Sequence, residues 1–125
     1  MKIASLVARI LLGLIFLIFG MNGFLHFIPG QPPTGLAGDF LRALLQSHYD
    51  LFISAVELAS GVLLLINRFV VLALVLIAPV IVNILLFHIF LLRSGLFVAI
   101  FVAILWGTIA LHKRRHLAPL FTSKT

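Results

Sequence analysis

Apolar residues run along this chain in four long blocks, 3–27, 51–66, 69–92 and 96–111, separated by short stretches that hold most of its charges. A helix needs roughly 20 apolar residues to cross about 30 Å of hydrocarbon, so the blocks read as four membrane spans. Spans 51–66 and 96–111 are short by that measure, and their ends are expected to extend into the flanking turns or to meet a thinned bilayer. The stretch PGQPPTG ends the first span, because proline removes a backbone donor and glycine permits tight turns. Within 39–48, Phe40, Leu41, Leu44 and Leu45 fall at helical spacing behind Asp39, which predicts a short amphipathic helix at the interface with Asp39 as its N-cap. Only Asn67 and Arg68 separate the second and third spans, which makes those helices antiparallel neighbours.

Composition agrees with this pattern and narrows the class. The chain has 125 residues, 63% hydrophobic and 10% charged, and a mean hydropathy of +1.30. That is more apolar surface than a small soluble core can bury, so the fold class expected is all-α: a polytopic four-helix membrane bundle in one domain, with a short interfacial helix between spans 1 and 2. The first block is too long for the apolar core of a signal peptide and carries no A-x-A site, so it reads as a retained span.

The formal charge of +6 acts mainly as an orientation signal. Lys2, Arg68, Lys113, Arg114, Arg115 and Lys124 fall on one side of the spans, Arg42 and Arg93 on the other, and Arg9 inside the first. The positive-inside rule then places both termini and the basic tail 112–125 in the cytoplasm. HKRRH reads as a stop-and-anchor tail on the lipid bilayer rather than as a nucleic-acid site. The chain has no cysteine, which removes disulfides, thiol exchange and thiolate metal sites; no H-x-x-x-H metal helix or haem-ligand spacing is present either. Any redox role therefore needs a bound cofactor, such as a quinone, or a partner.

Polar groups inside hydrocarbon cost several kcal/mol and normally face other helices. Counting about 1.5 Å per residue from the inner ends puts Arg9 roughly 9 Å deep, Glu57 roughly 14 Å, Asn83 roughly 21 Å, and Asn22 and His88 about 28 Å. Asn22 and His26 share one face of span 1, and Glu57 and Ser60 one face of span 2. With Asn83 and His88 they define a candidate ligand pocket between spans 1, 2 and 3, floored by Glu57, with Arg42 and His48 at its mouth. A structural alternative is an Arg9–Glu57 ion pair, since an arginine spans the depth offset of about 5 Å; Arg9 can also snorkel to the headgroups. An amide in mid-helix, as at Asn83, is expected to find a partner on another helix. Gly13, Gly20 and Gly23 recur at helical spacing and let span 1 approach a neighbour closely. Pro79 is expected to kink span 3 and free the carbonyl near Val75. Trp106 reads as packing or lipid contact, without a functional role.

Three segments, ARILLGLIFLIFGMNGF, VELASGVLLLINRF and APVIVNILLFHIFLL, taken in order, resemble the DoxX family of small four-helix bacterial membrane proteins. The resemblance covers most of the chain and implies family-type positions at Arg9, Gly13, Gly20, Asn22, Glu57, Gly61, Asn83 and His88. Many members have a lysine where Gly23 stands, so it implies no cation there. It also implies a bacterial inner-membrane location and a non-catalytic accessory or scaffold role, not an enzyme on its own, beside a membrane or peripheral redox partner or an oxidative-stress complex. Two other readings stand beside this one. In the first, a quinone-like or other small amphipathic ligand occupies the pocket, with Glu57 as the proton-active group. In the second, a homo-oligomer transports a small solute.

Overall fold

The computed structural model describes residues 2–28 and 30–123. Pro29 and Lys124, named above, lie outside them. The described chain is all-α. Its long helices are α1 (Lys2–Leu25), α2 (Gly35–Ser47), α3 (Tyr49–Ile66), α4 (Val70–Phe90) and α5 (Leu96–His112). A one-turn helix α6 (Arg114–Leu117) and a 3-10 turn (Ala118–Phe121) follow. By length and composition α1, α3 and α4 are each sufficient to cross a membrane, and α5 joins them only if it is counted together with the segment after it. This is a membrane protein. Leu14, Ile18, Leu76, Val82, Ile100 and Ile104 stand exposed at 39–60%, an apolar surface that water would penalise and lipid accepts.

Helices α1 and α3 pack along one another; α1 also meets α5, α3 meets α4, and α4 meets α5. The four close around one core drawn from all of them, with Leu12 and Phe16 from α1, Leu64 from α3, Leu74 and Ile77 from α4 and Ile109 from α5 all fully buried. Glycine allows the tightest of these contacts. A Cβ on Gly20 would stand 2.6 Å from the Leu58 backbone N, and one on Gly61 would stand 2.6 Å from the Leu17 N. No L side chain fits at either place without moving backbone, so the two helices touch main chain to main chain.

Helix ends differ from the sequence expectation where side chains and prolines intervene. The helix over 35–47 starts one turn early, after Thr34, so Asp39 is not its N-cap; it sits inside α2 and pairs with Arg42 at 3.2 Å. The loop folds over this first turn so closely that a Cβ on Gly38 would lie 2.3 Å from the Pro33 carbonyl. α1 stops at Leu25 because the Asn22 side chain takes the Ile28 N–H at 2.8 Å, while His26 adopts φ +52. The α3–α4 corner is a Schellman turn: Asn67 is left-handed (φ 58), its N–H bonds the Leu64 carbonyl, and the Arg68 N–H bonds that of Leu63. α4 runs unbroken through Pro79. The basic stretch after α5 is folded, turning 86° from the α5 axis.

Candidate functional site

Five residues bring polar chemistry to the helix contacts: Arg9 from α1, Glu57 from α3, Asn83 and His88 from α4, and Trp106 from α5, with Asn83 exposed. Arg9 donates to the carbonyl of Leu64 and, at 3.4 Å, to that of Leu65. These belong to the last turn of α3, where the helix dipole is negative and the Leu64 carbonyl, already bonded by the Asn67 N–H, keeps a second lone pair. Glu57 lies about 10 Å earlier along the same helix by its 1.5 Å rise. The expected Arg9–Glu57 pair is therefore not formed: the only ion pair among the described residues is Arg42–Asp39. The guanidinium reaches a closer set of acceptors.

Glu57 remains 8% exposed, and its carboxyl makes no hydrogen bond to the described residues. It lines a cavity of about 350 Å³ between α2, α3 and α4. Asn83 and His88 share that lining, with Phe40, Leu44 and Phe87 among its apolar walls. The Phe40 and Phe87 rings meet at 5.6 Å between centroids, closing α2 against α4. The α2 side of the cavity is lined by Phe40, Leu41 and Leu44, not by Arg42 or His48: Arg42 faces the proline loop, and His48 holds the left-handed corner (φ 65) between α2 and α3.

The two other polar residues in this lining, Asn83 and His88, are oriented by their own helix or turn. Asn83 donates Nδ2 to the Pro79 carbonyl at 2.8 Å, so the expected cross-helix bond is replaced by one within α4. That bond fixes the amide and leaves Oδ1 as an acceptor. His88 Nδ1 lies 3.1 Å from the Leu92 carbonyl and 2.9 Å from that of Ser94. Two carbonyl acceptors require the proton on Nδ1, and in the neutral ring Nε2 then carries the lone pair. Gly95 makes room for this arrangement. It sits at φ +89, and a Cβ there would be 2.8 Å from the His88 Cε1.

The other expected pocket residues lie elsewhere. Asn22 and His26 form the C-terminal end of α1 and are absent from the cavity wall. Ser60 is fully buried, away from the cavity, and its hydroxyl has no partner among the described residues. The polar site therefore belongs to α2, α3 and α4, with α1 excluded from it.

Trp106 has a defined polar contact that its sequence context did not suggest. Its Nε1–H donates to the Leu74 carbonyl at 2.9 Å, joining α5 to α4 one residue before Val75, the position whose carbonyl Pro79 leaves without its usual donor and which this bond does not serve.

The fold and this cavity define an all-α membrane protein with a polar-lined interhelical site. No group of His, Asp or Glu suited to a metal ion occurs among the described residues. Comparison of the chain with protein-family models, curated proteins and solved structures finds no match.

Proposed function

We propose that this protein is a DoxX-like four-helix bundle of the bacterial inner membrane, with both termini cytoplasmic, that holds a small amphipathic ligand such as a quinone between α2, α3 and α4. The observation that carries this reading is the cavity of about 350 Å³ onto which Glu57, Asn83 and His88 converge from two helices. Its size is in the range of small-molecule sites, and its walls combine apolar surface with a few oriented polar groups. The second Nδ2 hydrogen of Asn83 is left to donate to a quinone carbonyl, while Asn83 Oδ1 or His88 Nε2 can each accept from a hydroxyl of the reduced form. Glu57 is the group able to exchange a proton with it. The Phe40–Phe87 contact would open to admit the apolar part from the membrane.

Native mass spectrometry of the full chain, released from mild detergent, tests this directly. The expected result is one bound non-lipid small molecule, lost in Glu57→Gln while the protein stays folded. A preparation that holds only lipid and a co-purifying polypeptide overturns the reading. It would return the protein to the accessory-subunit role implied by the family resemblance. Transport by an oligomer ranks below both, since the cavity does not traverse the helices: its lining begins at Glu57 and ends at the α2 side.

A further inference from the structure

The chain has nine lysines and arginines against three carboxylates, and the fold separates them. Asp39 and Asp50 lie on α2 and at the start of α3, and Glu57 lies within α3. At the opposite end the start of α1, the α3–α4 corner and the end of α5 come together. They gather Lys2, Arg9, Arg68, Lys113, Arg114 and Arg115 with no side-chain carboxylate among the described residues there. Six cations in one place repel one another unless anions from outside the chain compensate them.

This end is also shaped to receive an anion. A cavity of about 290 Å³ is lined by Lys2, Ser5 and Arg9 of α1, Asn67 of the corner, and His112 and Lys113 at the end of α5. Arg9 Nη1 is occupied by the α3 carbonyls, but its remaining guanidinium N–H groups carry no bond to the described residues. Lys2 and Lys113 form no ion pair among them. The first turn of α1 adds the positive end of its dipole. A neighbouring cavity of about 390 Å³, lined by residues 112–116, continues the basic surface outward.

The segment after α5 adds an amphipathic surface beside this cavity. It turns 86° from α5. Leu117 packs on the core, while Leu120 and Phe121 stand 60% and 85% exposed. A short segment with cations at one end and bare apolar side chains at the other suits the headgroup boundary, lying flat with its leucine and phenylalanine in the acyl region. The basic cavity lies at the same corner, sharing His112 and Lys113 with the start of this segment.

We infer that this end is a binding site for the phosphate of an anionic phospholipid, seated between Lys2, Arg9 and Lys113. The ligand source is the membrane leaflet itself, and the site is separate from the Glu57 cavity.

The test uses the delipidated full chain in detergent, titrated with phosphatidylglycerol or phosphatidylcholine and read by native mass spectrometry. Phosphatidylglycerol is expected to bind the wild type preferentially. Each basic residue near such a surface contributes about fivefold in affinity, so Lys2→Gln with Lys113→Gln should weaken it about 25-fold. Both positions are at the surface end of their helices, and an unchanged melting temperature shows that the double variant is folded. Arg42→Gln, at the far end, should bind as the wild type does. Equal binding of phosphatidylcholine, full retention by the double variant, or saturation of the site by inorganic phosphate alone overturns the inference.

Discussion

The guanidinium of Arg9 closes the last turn of α3 by donating to the Leu64 carbonyl, about two turns beyond Glu57 on the same helix. A cation at a helix C-terminus complements the negative dipole and the free lone pairs of the last carbonyls together. It does so without drawing on the carboxyl of Glu57, which is left for the α2–α4 cavity.

Two arginine variants separate these roles. Arg9→Gln should lower stability by about 1.5–3 kcal/mol, the range for a hydrogen bond to a charged group, seen as a lower melting temperature in detergent. The swap Arg9→Glu with Glu57→Arg should not recover it. Recovery in the double variant would mean that the two side chains interact directly after all.

Main-chain contact between α1 and α3 predicts a sharp dependence on residue size. Gly20→Ala and Gly61→Ala each place a methyl 2.6 Å from a backbone nitrogen of the facing helix. Overpacking of this kind should cost about 1–3 kcal/mol. Gly107, on α5, has open space at its Cβ position. Gly107→Ala should be neutral or stabilising by up to about 1 kcal/mol, since alanine favours helix. Thermal unfolding of the three variants measures the contrast.

Trp106→Phe keeps most of the ring volume and removes the donor to the Leu74 carbonyl. A loss of about 1 kcal/mol is expected from that bond alone. Circular dichroism during heating should show it, with the helix content at low temperature unchanged. An unaltered melting curve would mean that the carbonyl finds another donor.

Gly95 governs the ring of His88 through both its left-handed backbone (φ +89) and the space it leaves beside Cε1. Gly95→Ala should displace the imidazole from the Leu92 and Ser94 carbonyls and weaken ligand retention as strongly as His88→Phe does. If Gly95→Ala retains ligand fully while His88→Phe loses it, the turn tolerates the methyl and the ring keeps its place.

Much of the architecture was legible along the chain. The apolar blocks lie within a few residues of α1, α3, α4 and α5, because a long apolar run has one way to satisfy its backbone in lipid. Gly20 announced a close helix approach by its spacing, and Asn67–Arg68 announced the tight antiparallel corner. The start of α2 was misplaced because the Asp39 side chain has a nearer partner in Arg42, whereas the proline loop and Gly38 set the true first turn.

The candidate site was half legible. Glu57, Asn83 and His88 stood out as polar groups in apolar runs, and the fold does bring them to one cavity. Asn22, His26 and Ser60 stood out for the same reason, yet they cap a helix end or lie buried elsewhere. A linear pattern shows that a polar residue must be satisfied; it does not say whether its own backbone already supplies the partner. Asn22 and Asn83 both use main-chain groups of their own segment.

The sequence by itself determined that the chain is helical, apolar enough for a membrane, and strongly asymmetric in charge, since these follow from composition and from runs of like residues. Only the tertiary structure decided which helix end Arg9 closes, which helices enclose Glu57, and that Lys2, Arg9 and Lys113 meet at one corner. Those relationships depend on the rotation and register of helices that are distant along the chain. Rotation and register are set by where the glycines let backbones touch and where the core side chains interlock.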